Sequence, residues 1–347
     1  MNDLPLAGLR ILDLTRLLPG PLATRHLLEL GAEVLKIEGP ADQGQEDGAR
    51  TMWQTRAEAA AGAPGLFFRE LNDGKQLRSI DLRSVAGGAE LVELARDADA
   101  LIEGFRPGVM DRLGLGYAAL AAVNPRLVYA AITGYGQHGP WSQRAGHDIN
   151  YLAMAGVLEQ IAGPDGDPGL PNFQVADLLG GTQAAVAGVL AALLGAQRSG
   201  RGRFVDVSMT HEVWRHAVVL RTTLAATGRV PPPGRDLLSG GVPCYGVYRT
   251  ADGRHLAFGA LELKFWQRAC EVVGRPQWRD RHHALGLAVG GSEAMALRAE
   301  LAAIVAGRPL AHWAPLFDTA DCCVTPVLRA DEARAHPLFV NDQAGIG

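Results

Sequence analysis

Hydrophobic positions fall in short apolar runs separated by helical spacing along the first half of the chain. Leu9 to Leu14 reads as a buried strand, Pro19-Gly20-Pro21 breaks it, and Leu22 to Leu30 has helical periodicity that Gly31 closes. Glu33 to Glu38 is a second strand, which completes a βαβ opening. Residues 39–65 are polar and bear Gly, Pro and Ala, so an irregular loop or mobile excursion is expected there. Strands at Leu77–Leu82, Ala100–Phe105 and Arg126–Thr133, with a helix at Gly88–Arg96, continue the alternation. The expected fold is α/β: a mostly parallel sheet covered by helices on both faces.

The pattern changes after Tyr151. Helices are expected at 147–158 and 177–198, then a short strand at Phe204–Met209 and one long helix at His211–Thr227. From Gly241 the chain predicts a hairpin (Cys244–Arg249 and His255–Gly259) about the turn Ala251-Asp252-Gly253. Helices near 262–273, 292–306 and 309–318 and a strand at Cys322–Leu328 follow. The expected organisation is a large domain over 1–200, a linker with the long helix over 201–235, and a small α+β domain over 236–319.

A net charge of −4 over 347 residues gives no global reason to expect nucleic acid. The four cysteines, at 244, 270, 322 and 323, form no Cys-x-x-Cys pair and read as free thiols in a reducing compartment, with no zinc site. His211 and His216 lack ligand spacing, and His282-His283 sit in a charged loop, so no metal is expected. No signal peptide is apparent, and the apolar run Ala184–Leu194 reads as too short to span a bilayer. A cytoplasmic protein is expected.

Glu38 at the end of the second strand suggests a dinucleotide site, but the preceding turn reads Leu17-Leu18-Pro19-Gly20-Pro21-Leu22 and lacks Gly-x-Gly-x-x-Gly. Other stretches suit anions. Asn72-Asp73-Gly74-Lys75 with Arg78 is a turn carrying two cations. Arg106 precedes Pro107, so it should stand at a helix N-terminus, where dipole and guanidinium favour negative charge. The ordinary alternative is a solvated loop arginine. Three ionisable residues fall in apolar or glycine-rich surroundings: His147, Asp177 and Glu262. Each also has a plain structural reading, since histidine packs and acidic residues favour the first turn of a helix. No Gly-x-Ser-x-Gly elbow is present.

Motifs spread along nearly the whole chain resemble the family III CoA-transferase (CaiB/BaiF) superfamily. They include Gly8-Leu-Arg-Ile-Leu-Asp-Leu14, Phe105-Arg-Pro-Gly108, Gly134-Tyr-Gly-Gln-His-Gly-Pro140, Gly146-His-Asp-Ile-Asn-Tyr151, Ala176-Asp177 and Gly180-Gly181. Within the superfamily the chain is most similar to the α-methylacyl-CoA racemase branch. The resemblance implies an interlocked homodimer of Rossmann-like large domains and small domains, with the active site shared between subunits. It implies a large domain rejoined by about 320–347 and an acyl-CoA substrate, with no separate cofactor, membrane or nucleic-acid partner. Arg106, Lys75, Arg78, Gly146 and Tyr151 become candidates for holding the CoA ester.

The resemblance leaves two reactions. In transferases Asp177 would attack the thioester as a nucleophile. In racemases it would carry a proton opposite His147, and the Gly-His-Asp-Ile-Asn-Tyr form is the racemase one. His147 would remove the α-proton, Asp177 would deliver one to the other face, the Asp148 N–H would hold the enolate oxygen, and Glu262 would orient His147. The expected activity is epimerisation of 2-methylacyl-CoA esters, with family III CoA transfer as the alternative.

Overall fold

The computed structural model describes residues 4–161 and 166–340. It divides into two compact units. Described residues up to Leu158, with Leu170–Arg221, form the first; Glu159–Gly169 and residues from Thr222 onward form the second.

The first unit opens with β1 (Arg10–Leu14), α1 (Pro19–Glu29) and β2 (Glu33–Glu38). The prolines expected only to break the strand also start α1, where their missing N–H groups cost nothing. There follow β3 (Gln76–Ser79), α2 (Val85–Arg96), β4 (Ala100–Glu103) and β5 (Val128–Thr133). Next come α3 (Asp148–Met154), a π-helical segment Ala176–Gln183 running directly into α4 (Ala184–Ser199), and β6 (Phe204–Ser208). The six strands are parallel, in the order β3-β2-β1-β4-β5-β6. Every residue of β4 and β5 is buried, and their side chains alternate between two cores. Ala100 and Ile102 face the core shared with Ala23, Leu27 and Val189; Leu101 faces the one shared with Leu91 and Leu120.

Several expectations change. β6 lies in the stretch assigned to a linker, yet it pairs with β5 and completes the large sheet. The long helix is two, α5 (Met209–His216) and α6 (Val218–Thr227), because Ala217 leaves helical geometry at ψ 52°. Residues 39–65 are tied down rather than a free excursion: Lys36 Nζ stands 3.2 Å from Asp47 Oδ2 with both side chains buried, and the Asp47 N–H donates to Glu38 at 2.9 Å. The run Ala184–Leu194 belongs to a continuous 24-residue helix, Ala176–Ser199, long and apolar enough to cross a membrane by length and composition. In the fold, its Ala185 and Val189 are fully buried in the first unit's core.

The second unit holds β7 (Tyr245–Arg249), β8 (His255–Gly259), α7 (Leu263–Val272), α8 (Ser292–Val305), α9 (Leu310–Ala320) and β9 (Val324–Pro326). Its sheet is antiparallel, in the order β7-β8-β9. The segment expected to rejoin the large domain therefore pairs here instead. Arg254 also binds Glu332 at 2.6 Å and fixes the chain beyond β9 to this unit. Residues 341–347 of that expectation lie outside the described residues.

Candidate functional site

Strand order reverses between β1 and β4, and in an open parallel sheet the crevice beyond the carboxyl ends at such a point is where ligands bind. Here Thr15, Arg16 and Leu17 leave β1 while Gly104 leaves β4. With Ile132, Gly146, His147, Tyr151, Asp177 and Met209 they line a cleft. A neighbouring cleft shares Gly104, Ile132, Gly146, His147, Tyr151 and Met209 and adds Arg106 and Asn150. Fold topology thus brings His147, Asp177, Gly146, Tyr151 and Arg106 to one place.

Local structure fixes each. His147 is extended at φ −128° and serves as the N-cap of α3, with its N–H donating to Asn150 Oδ1 at 3.0 Å. Tyr151, one turn on, is buried and donates its hydroxyl to the Gly146 carbonyl at 2.5 Å. A Cβ on Gly146 would stand 2.7 Å from the Tyr151 ring, so only glycine permits this approach. Asp148 accepts from the backbone N–H groups of Ala176 at 2.6 Å and Asp177 at 3.0 Å. Its carboxylate therefore caps the π-helical segment and couples α3 to Asp177. The Asp148 N–H itself donates to no protein group among the described residues.

Asp177 sits in that π-helical segment, a distortion often found at functional sites. Gly180 lets the segment press on α5: a Cβ there would meet the Met209 carbonyl at 2.6 Å. Burial pushes the Asp177 carboxyl up from 3.8 to about 6; the Asp148 carboxylate adds to the rise and His147 opposes it. A helix start would lower the value, but Asp148 already occupies the N–H groups that would do so.

The remaining candidates separate. Arg106 is exposed and has no ion-pair partner among the described residues, but it is not at a helix start. The four-residue helix Val109–Arg112 begins only after left-handed Gly108. Lys75 does not face the cleft. Its Nζ, fully buried, contacts Asp13 Oδ2, Pro21 O, Thr24 Oγ1 and Asn72 Oδ1 at 2.7–3.0 Å, which leaves no N–H for a phosphate. Arg78 pairs with Glu90 at 3.2 Å and lines a different hollow with Arg10 and Glu33. Glu262 belongs to the second unit, exposed at the N-cap of α7.

Sequence reasoning missed three contributors. Leu17 holds φ +65°, a strained value for a leucine, with its N–H on Asp47 Oδ1 at 3.0 Å. Arg16 enters the cleft from the same turn and donates to the Gln45 carbonyl at 2.7 Å. Buried Glu103, raised to about 7 by desolvation, accepts from the Phe105 N–H at 2.6 Å and shapes the stretch carrying Arg106.

The fold is a six-stranded parallel α/β sheet that carries an acid and a histidine at its switch point, and the family follows from comparison. The sequence model of CoA-transferase family III matches residues 6–344, and the chain belongs to that family. Human alpha-methylacyl-CoA racemase is 33% identical over 331 residues, covering 95% of this chain and 80% of that protein. Acetyl-CoA:oxalate CoA-transferase of Acetobacter aceti is also 33% identical, over 337 residues, covering 96% and 83%. The crystal structure of Rv3272 from Mycobacterium tuberculosis superposes with a TM-score of 0.79 at 31% identity, covering 97% of this chain and 87% of the other.

Proposed function

We propose that the protein is a racemase or epimerase of 2-methylacyl-CoA thioesters. The observation that carries this reading is a protonatable carboxyl and an imidazole lining one cleft, with Asp177 raised to about 6 and so able to hold a proton near neutrality. Inversion at a carbon beside a thioester needs a base on one face and an acid on the other. His147 removes the α-proton and Asp177 supplies one to the opposite face; the reverse direction exchanges the roles. The unengaged Asp148 N–H, at the start of α3, is the donor for the enolate oxygen. Arg106 takes a CoA phosphate, and a homodimer in which the partner's small domain supplies Glu262 to orient His147 completes the assignment. No cofactor beyond the CoA of the substrate is invoked.

The second reading, CoA transfer through an aspartyl-CoA intermediate, keeps its place because a CoA-transferase is as similar as a racemase. Substitution separates them. On the racemase reading His147→Ala and Asp177→Ala both abolish epimerisation, and neither protein moves CoA to an added carboxylate. If His147→Ala retains CoA transfer that Asp177→Ala loses, the transferase reading replaces this one.

A further inference from the structure

In the second unit, three side chains with no role in the chemistry above converge. Cys244 Sγ lies 3.9 Å from His283 Nδ1, and the His282 and His283 rings are 4.1 Å apart. One sulfur and one nitrogen from each histidine fall within 4.8 Å of one another. Cys244 and His282 are 1% and 2% exposed. His282 Nε2 is buried with no hydrogen-bond partner among the described residues, a condition native proteins rarely leave unexplained. We infer that Cys244, His282 and His283 bind a zinc ion, with water as fourth ligand.

The geometry is close to what the ion requires. Zn–S near 2.3 Å and Zn–N near 2.05 Å at tetrahedral angles place sulfur and nitrogen about 3.6 Å apart. The Cys244–His283 separation needs to close by only a few tenths of an ångström, and a turn of the His282 ring brings in the third ligand. His282 Nδ1 accepts the Ala284 N–H at 3.2 Å, a long bond. Ligation through Nε2 moves the ring proton to Nδ1 and releases that bond. Coordination forms the Zn–S bond and releases the thiol proton to solvent, one per ion bound. The adjacent His282-His283 pair does not by itself reveal this site in the sequence; the fold brings that turn to Cys244, at the start of β7. The Cys244 carbonyl accepts the Ala260 N–H at 2.9 Å, so an ion here would brace the stretch that leads into Glu262.

The test uses the full chain, stripped with chelator and dialysed, then titrated with Zn2+ against a chromophoric chelator and with Co2+ as spectroscopic probe. One ion per chain, one proton released per ion and a thiolate-to-cobalt charge-transfer band are expected. Cys244→Ser removes the band, and His283→Ala, at a half-buried position, weakens Zn2+ binding at least about tenfold. Melting curves in chelator report whether each variant folds, and His283→Ala decides the matter if Cys244→Ser does not. Absence of saturable one-to-one binding, or binding that survives His283→Ala unchanged, overturns the site.

Discussion

Replacing Asp148 by Asn removes a charge while keeping an acceptor for the Ala176 and Asp177 N–H groups, now 2.6 and 3.0 Å from its carboxylate. The cap should survive. What disappears is the second-largest cause of the Asp177 rise, which totals about two pH units from 3.8 to about 6. Burial, the largest cause, remains. The Asp177 value should therefore fall part of the way back toward 3.8, each unit of the fall being worth about 1.4 kcal/mol between its protonation states. The assay is the pH dependence of α-proton exchange into a 2-methylacyl-CoA ester. With the epimer whose α-proton His147 removes, Asp177 must be protonated and activity is lost as pH rises through its value, so this alkaline limb should move down in Asp148→Asn, with the melting temperature within a few degrees of the parent. An alkaline limb that stays in place would refute the claim that Asp148 tunes Asp177.

Lys75→Met should destabilise the protein by about 3 kcal/mol, since it removes the cation bound to a buried Asp13 carboxylate and leaves it with Lys36 nearby and donors from Thr15 and Thr24; KM for the CoA ester should be unchanged when measured beside urea unfolding. A raised KM with unaltered stability would restore Lys75 to the binding site. Asp177 holds its proton more tightly folded than unfolded. Its ionisation therefore destabilises the fold as pH rises from about 4 through about 6, and the penalty is complete above that. Asp177→Asn should gain about 3 kcal/mol over the parent across that window, with no change in their difference outside it.

The framework was legible because it rests on local periodicity: β1, α1, β2, β4 and β5 fall within a few residues of where apolar runs and breakers put them. His147 and Asp177 were legible from the motif resemblance and the glycines around them. What escaped depends on distant partners. Lys75 looks like a cationic turn residue, and its burial is decided by Asp13, 62 positions away. Asp148 was read for its N–H, whereas its carboxylate reaches Ala176, 28 positions on. Arg16 and Leu17 carry no motif; only the reversal of strand order at β1 marks their turn as a ligand site. β6 and β9 are short, and which sheet a short strand joins is settled by pairing that periodicity does not encode.

The most direct measurement is incubation of the protein with one epimer of a 2-methylacyl-CoA in deuterated water. The account predicts deuterium at the α-carbon together with loss of stereochemistry, both abolished in His147→Ala. Unchanged stereochemistry without deuterium uptake, accompanied by movement of CoA to an added carboxylate, would contradict it.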